Sequence, residues 1–312
     1  MTDLPDSDRP LRIGTRGSPL ALRQAHEAKI RLMAAHGLGE GCFTIVPITT
    51  TGDRVQDRSL SELGGKGLFT REIEDALLGG AIDIAVHSMK DMPTIHPEGL
   101  GIGCFLPRED VRDAFVSLGE ARFSDLAPGA VVGTSSLRRQ AQIIHRRPDL
   151  RVVEFRGNVQ TRLRKLTEGV AEATFLAMAG LRRLGLTDIA RAPMSTDDML
   201  PAIAQGAIGI EQRLDDAAVA ALLARVNDPA TCDRLRAERA LLAGLDGSCR
   251  TPIAGLAELS EGRLRLRGEI LRPDGSECIE GEVSGPVSDA EALGTALAEE
   301  LRGRADPDFF DA

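Results

Sequence analysis

The chain has 312 residues, a formal net charge of −9 and neither Trp nor Tyr. That length accommodates two or three domains. The acidic balance disfavours a general binder of nucleic acid or anionic membrane, and the missing large aromatics leave little for stacking bases. Five cysteines (Cys42, Cys104, Cys232, Cys249 and Cys278) are scattered and form no C-x-x-C pair, which supports neither a disulfide framework nor a structural zinc site. Residues 1–10 are polar and acidic, with no apolar signal region, and no apolar run is long enough to span a bilayer. A cytoplasmic protein with no bound metal is expected.

Short apolar runs alternate with helical patterns through the first two thirds of the chain. Strands are predicted at Leu11–Thr15, Phe43–Ile48, Ile82–His87, Ala114–Leu118, Ala130–Thr134, Arg151–Phe155 and Ala173–Ala177, and helices at Pro19–Ala35, Leu68–Leu78 and Leu137–His145. The alternation implies parallel sheets with helices on both faces, whose ligands lie beyond the carboxyl ends of the strands. Ile13-Gly14-Thr15-Arg16-Gly17-Ser18 and Val132-Gly133-Thr134-Ser135-Ser136 echo one another as a strand, a hydroxyl-rich turn and a helix start, so two similar α/β domains are expected. The last third differs. Helices at Ala217–Val226 and Asp233–Leu245 precede a period-two strand in which Arg263, Arg265 and Arg267 alternate with Leu264 and Leu266. A turn at Arg272–Gly275, a strand at Glu277–Val283 and a helix at Asp289–Arg302 complete a separate α+β domain.

Ser18 suits a helix N-cap and Pro19 the first helical position, while Arg16 sits beside a helix start that attracts anions. In the second turn Thr134, Ser135 and Ser136 precede Arg138 and Arg139. Cations in a first turn oppose the helix dipole by up to about 1 kcal/mol. A bound anion would offset that cost, so the pair reads as an anion site in preference to a solvated basic face, and removing Arg139 is expected to stabilise the free protein slightly. Arg146, Arg147, Arg151, Arg156, Arg162, Arg164 and Lys165 extend the basic segment. Arg over Lys favours bidentate recognition of carboxylate or phosphate; Arg146, Arg147 and Arg164 read as ordinary surface. RNA binding through Arg138–Lys165 is the competing reading, opposed by net charge and composition. Gly64-Gly65-Lys66-Gly67 lacks P-loop spacing. His87-Ser88-Met89-Lys90-Asp91 follows an apolar strand, so Asp91 fits either a general acid–base or a turn residue, and His87 fits a core histidine. Cys249 fits a small buried hydrophobe or, beside Arg250, an activated thiolate.

Taken in order, these strings resemble the porphobilinogen deaminase (hydroxymethylbilane synthase) family. The carriers are Ile13-Gly14-Thr15-Arg16 with Ser18-Pro19-Leu20-Ala21; Gly52-Asp53; Gly64-Gly65-Lys66-Gly67-Leu68-Phe69; Asp83-Ile84-Ala85-Val86-His87-Ser88-Met89-Lys90-Asp91; and Gly133-Thr134-Ser135-Ser136-Leu137-Arg138-Arg139-Gln140. Arg156-Gly157-Asn158-Val159, Ala179-Gly180-Leu181-Arg182-Arg183, Gln205-Gly206, Glu238-Arg239-Ala240 and the Cys249 loop follow. The resemblance implies an α/β fold of two doubly wound domains like the halves of type II periplasmic binding proteins, at 1–106 with 205–224 and at 107–204. A small α+β domain with a three-stranded antiparallel sheet takes 225–312. The chain would cross between the first two near Leu106–Val111 and Met199–Ala204.

The resemblance further implies a monomeric transferase that condenses four porphobilinogen molecules into a linear hydroxymethylbilane, on a dipyrromethane cofactor carried by Cys249. Asp91 matches the catalytic carboxylate, with Arg16, Arg156 and Arg162 assisting. Lys66, Ser88, Thr134, Ser135, Ser136, Arg138, Arg139, Arg156, Gly157, Gln205, Gly206 and Asp91 match cofactor contacts. Arg16, Ser18, Gln24, Arg156, Arg162 and Arg183 match substrate contacts. Thr51, Glu62, Glu172 and Ser248 depart from the usual family residues. A solute-binding module on the same scaffold is the alternative, and fold alone does not separate the two.

Overall fold

The computed structural model describes residues 4–54, 69–247 and 251–310. The chain divides into two compact units, 1–109 with 207–232 and 110–206 with 233–312. In chain order the first unit supplies β1 (Leu11–Arg16), α1 (Pro19–His36), β2 (Phe43–Ile48), α2 (Thr51–Arg54), α3 (Arg71–Leu78), β3 (Ile84–Ser88) and β4 (Leu100–Phe105). The second supplies β5 (Asp113–Ser117), β6 (Val131–Gly133), α4 (Leu137–Arg146), β7 (Arg151–Val153), α5 (Val159–Thr167), β8 (Ala173–Ala177), α6 (Met178–Leu184) and β9 (Ala192–Pro193). The chain returns to the first unit for β10 (Ile208–Arg213) and α7 (Ala217–Ala224). It then continues through α8 (Pro229–Gly244), β11 (Ile253–Ser260), β12 (Arg263–Leu271), β13 (Cys278–Pro286) and α9 (Ala290–Arg304).

The first unit holds a five-stranded sheet ordered β2-β1-β3-β10-β4, and the second one ordered β7-β6-β8-β5-β9. The orders correspond strand for strand. In each, the first of the echoed strands, β1 or β6, runs parallel to both neighbours, and the fourth strand, β10 or β5, is antiparallel to both of its own. The echo in the sequence is therefore a topological repeat. The sheets are mixed, which corrects the expectation of purely parallel ones. β4 follows β3 with no predicted helix between them, and β10 is returned to the sheet after the whole second unit, so neither fits a strand–helix alternation.

Both echoed turns are set by local chemistry. The Ser18 hydroxyl accepts from the Ala21 N–H at 3.3 Å, and Pro19 opens α1 without wasting a donor. The Ser136 hydroxyl accepts from the Arg139 N–H at 3.4 Å at the start of α4. Ile13, Ile84, Val86, Leu32 and Ile208 fill the core of the first unit. Phe115, Phe123 and Phe175 meet edge-on or tilted over the second sheet, with Phe115 and Phe175 centroids 5.7 Å apart.

The remaining sheet is β11-β12-β13, antiparallel throughout. Period two holds along β12: Leu264 and Leu266 are buried beneath α9, and Arg263 and Arg265 are exposed. The turn after it closes with the Gly275 N–H donating to the Arg272 carbonyl at 2.8 Å, Gly275 at φ 72°. That turn abuts α4, where a Cβ on Gly275 would come within 2.9 Å of the Ala141 carbonyl oxygen. The small sheet and the arginine-bearing helix are thus parts of one packed body.

Two glycines of α9 give opposite expectations. A Cβ on Gly294 would lie 2.2 Å from the Ala237 carbonyl oxygen of α8, whereas one on Gly303 meets nothing within 4 Å. Alanine gains about 1 kcal/mol over glycine in a helix, and overpacking costs about 1–3 kcal/mol. Gly294→Ala should therefore lower the melting temperature and Gly303→Ala raise it; two shifts of the same sign would contradict this packing.

Candidate active site

In the first unit the carboxyl ends of β1 and β3 meet the start of α1. Arg16, Ser18, Gln24, Ser88 and Asp91 line one small pocket of about 70 Å³ there. Asp91 ends a 3-10 turn over Met89–Asp91 and is exposed. Gln24, buried on α1, holds the Ser88 hydroxyl with its side-chain amide at 2.7 Å. Arg16 is ion-paired with Asp53, and its guanidinium lies 4.2 Å from the centre of the Phe69 ring. Burial raises the Asp53 pKa, but the hydrogen bonds and charge of Arg16 and the bonds from Thr50 outweigh it, leaving the carboxyl below its ordinary range. The anion beside Arg16 in this structure is thus part of the chain.

The second unit repeats that arrangement in its interior. Asp113, at the start of β5, is wholly buried and receives both arginines of α4. Arg138 Nη2 lies 2.8 Å from Asp113 Oδ2, and Arg139 Nη2 lies 2.6 Å from Oδ1. Arg138 also donates to the Leu200 carbonyl and Gln142, Arg139 to the Phe175 carbonyl at 2.7 Å, and Gln205 Nε2 to Asp113 Oδ1 at 3.0 Å. Burial drives the Asp113 pKa up, but the two guanidiniums outweigh it and hold the carboxyl far below its usual range. This corrects the sequence reading of Arg138 and Arg139. Their dipole mismatch is offset by an internal carboxylate, so removing Arg139 costs stability rather than adding to it.

The other sequence-derived residues lie around these two centres. Thr134 is buried at the end of β6 and accepts from the Ser136 N–H, and Ser135 accepts from the Phe155 N–H at 3.2 Å. Gly157 sits at φ 120°, where a Cβ would strike Thr161, and its carbonyl accepts from Arg162 Nε at 3.0 Å. Arg183 donates to the Gly206 carbonyl at 3.2 Å. Arg156 is half-buried, 3.9 Å from Glu154. Arg147 grips Asp149 and the Leu126 carbonyl, and Arg146 lies 3.7 Å from Glu269, so neither is a bare surface charge; Arg164 is exposed. Of the departures, Thr51 binds Glu72, and Glu172 accepts from the Val131 N–H. Lys66, Cys249, Glu62 and Ser248 lie outside the described residues.

Of the two carboxylates in this framework, Asp113 escapes the sequence reading, and Asp53 enters it only within the string Gly52-Asp53, without its partner Arg16. A usable signal exists for Asp113, a lone acid opening the apolar run Ala114-Phe115-Val116.

Comparison with known proteins decides what the framework serves. Residues 11–221 match the family model "Porphobilinogen deaminase, dipyromethane cofactor binding domain", and residues 232–303 match "Porphobilinogen deaminase, C-terminal domain". A porphobilinogen deaminase from Paracoccus denitrificans is 69% identical over 311 residues, spanning 100% of this chain and 99% of that one. The chain belongs to the porphobilinogen deaminase family. Among solved structures, a periplasmic substrate-binding protein of an ABC transporter from Coxiella burnetii is similar at 14% identity and a TM-score of 0.43, covering 71% of this chain and 94% of that one. The methionine-binding protein MetQ is similar at 12% identity and a TM-score of 0.45, covering 71% and 91%.

The donor set suits the dipyrromethane cofactor of a porphobilinogen deaminase, whose side chains are carboxylates. Arg138 Nε, Arg139 Nε and Arg156 Nη1 are buried and make no hydrogen bond within the described residues. Such donors cost free energy until an acceptor reaches them, and guanidinium matches carboxylate in shape and charge.

Breaking the Asp113 centre has a predicted sign. Asp113→Asn leaves two buried guanidiniums without their counter-charge and should cost about 3–5 kcal/mol; Arg139→Leu should cost less but remain destabilising. Urea unfolding measures both, and a gain in either contradicts the assignment. Because the folded Asp113 pKa is depressed, its contribution is complete above the unfolded carboxyl range near 4 and declines as pH falls below it. Stability of the unmodified chain should drop from about pH 4 downward, and the drop should be shallower in Asp113→Asn.

Proposed function

We propose that this chain condenses four porphobilinogen molecules head to tail, with loss of one ammonia from each, to give the linear hydroxymethylbilane. The observation that carries the chemistry is the pocket that gathers an exposed Asp91 with Arg16, Ser18, Gln24 and Ser88 at the carboxyl ends of β1 and β3. That edge is where ligands of open α/β sheets bind.

The dipyrromethane cofactor, held as a thioether on Cys249, supplies the pyrrole carbon at which the product chain starts. Arg138, Arg139 and Arg156 receive its carboxylates, with Lys66, Ser88, Thr134, Ser135, Ser136, Gly157, Gln205 and Gly206 around it. Arg16, Ser18, Gln24, Arg156, Arg162 and Arg183 orient the incoming substrate. Asp91 accepts the pyrrole N–H through a carboxylate oxygen. The substrate's aminomethyl group departs from its protonated form: as the C–N bond breaks and the nitrogen leaves as ammonia, the positive charge passes to that pyrrole, where the fixed negative charge of Asp91 stabilises it. An interaction that strengthens with developing charge lowers the barrier and not merely the binding energy.

The matching strand orders of the two larger sheets support a type II periplasmic-binding-protein-like pair of domains, at 1–106 with 205–224 and at 107–204. The three-stranded sheet supports a third domain at 225–312 that carries the cofactor cysteine. No helix among the described residues is long and apolar enough to cross a membrane, and we read the protein as a cytoplasmic monomer with porphobilinogen as its small-molecule partner.

Asp91→Asn should retain its melting temperature and its cofactor while losing about three orders of magnitude in turnover, about 4 kcal/mol of barrier. Assay of product formed by the folded variant checks it. Near-normal turnover would assign the carboxylate another role, whereas absence of product from the unaltered protein would favour a solute-binding module on the same scaffold.

A further inference from the structure

The segment that carries Asp91 is fastened to β10 at both of its ends. β10 lies antiparallel to β3, with Gly209 opposite His87 and Glu211 opposite Ala85. The Met89 N–H donates to the Ala207 carbonyl at 3.1 Å. Met89 then packs onto Gly209 so closely that a Cβ there would lie 2.1 Å from its sulfur. Glu211, fully buried, completes the attachment: Oε2 lies 3.1 Å from His87 Nε2, four residues before Asp91, and Oε1 lies 3.1 Å from His96 Nδ1, five residues after it. Neither histidine nor Glu211 has a part in the chemistry proposed above.

We propose that Glu211 is a positioning residue for Asp91, its two carboxylate oxygens pinning His87 and His96 so that the segment between them presents Asp91 to the pocket at a fixed place. The inference deepens the reading of Asp91 as the catalytic carboxylate and rests on it. A carboxylate suits the task because it accepts from two rings at once, which an amide oxygen paired with an amide nitrogen does not. Burial pushes the Glu211 pKa up, but the hydrogen bonds and charge of His87 and His96 outweigh it and hold it at about 2, so the carboxylate stays ionised at working pH. Glu74 of α3, buried and raised in pKa by that burial, faces the same cluster. The coupling to catalysis follows from scale, since displacing a reacting group by about 1 Å can cost 10²-fold in rate.

The test uses the full-length enzyme carrying its cofactor, confirmed by intact mass, with melting temperature recorded for every variant. His96 is the accessible arm. His96→Leu removes the Nδ1 contact, whereas His96→Asn places an amide nitrogen where Nδ1 stood. His96→Leu should lower kcat by about 10-fold or more with KM nearly unchanged, His96→Asn should recover most of that loss, and Glu211→Gln should fall between them. In an Asp91→Asn background His96→Leu should add less than about 2-fold, because coupled residues are not additive. Normal kcat in folded His96→Leu, failure of His96→Asn to recover, or full additivity with Asp91→Asn would overturn the positioning role. Near-normal turnover of Asp91→Asn itself would overturn the reading of Asp91 and the positioning role together; a large loss there with His96→Leu unaffected overturns the positioning role alone.

Discussion

The buried carboxylate of Asp113 constrains the arginine-rich unit more than any other group described. It holds Arg138, Arg139 and Gln205 at once, and through them α4, the loop before β10 and the start of β5. Moving one ion from water to the interior costs several kcal/mol even after relaxation. Two guanidiniums share the one carboxylate, with the buried Glu269 held beyond Gln142, and the Nε–H groups of both guanidiniums make no hydrogen bond within the described residues. A cofactor rich in carboxylates would supply acceptors for those donors.

The two larger sheets treat cations alike. In each, a strand ends in a hydroxyl-bearing turn, a serine caps the following helix, and arginine beside or within the first turn is balanced by an aspartate from elsewhere in the same unit: Asp53 for Arg16, Asp113 for Arg138 and Arg139. The helix N-terminus opposes those cations, and the aspartates reconcile the helix start with them. The arrangement keeps guanidiniums ordered before a ligand arrives, which lowers the entropy lost on binding.

Much of this organisation was legible in the sequence because it is local. Strand β2 and strand β8 follow their predicted bounds, and the period-two run of β12 and its Pro-Asp-Gly turn read directly from residue type and spacing. The resemblance between the two turn sequences foretold the repeat. The short helices α5 and α6 and the two-residue β9 went unmarked, but most of what escaped is long-range. β4, β10 and β11 have no alternation or flanking turn strong enough to mark them, and antiparallel insertion into a mainly parallel sheet leaves no local signature. Partnership escaped for the same reason. Arg139 and Asp113 stand 26 residues apart, so a lone basic pair in a first turn reads as a site for an outside anion until the fold brings an aspartate beneath it. Glu211, an acid directly after the apolar run Ile208-Gly209-Ile210, carried a signal of the kind that marks Asp113.

We propose that the arginines and Asp91 serve chemistry built on a cofactor covalently joined to Cys249. Intact mass of the denatured protein tests it most directly, because denaturation removes everything held without a bond. The account predicts a mass above that of the sequence by one two-pyrrole unit, mapped by peptide digestion to Cys249 and absent from Cys249→Ala, with Cys42, Cys104, Cys232 and Cys278 unmodified. Active protein at its bare sequence mass, or an adduct on any of those four cysteines, would contradict it.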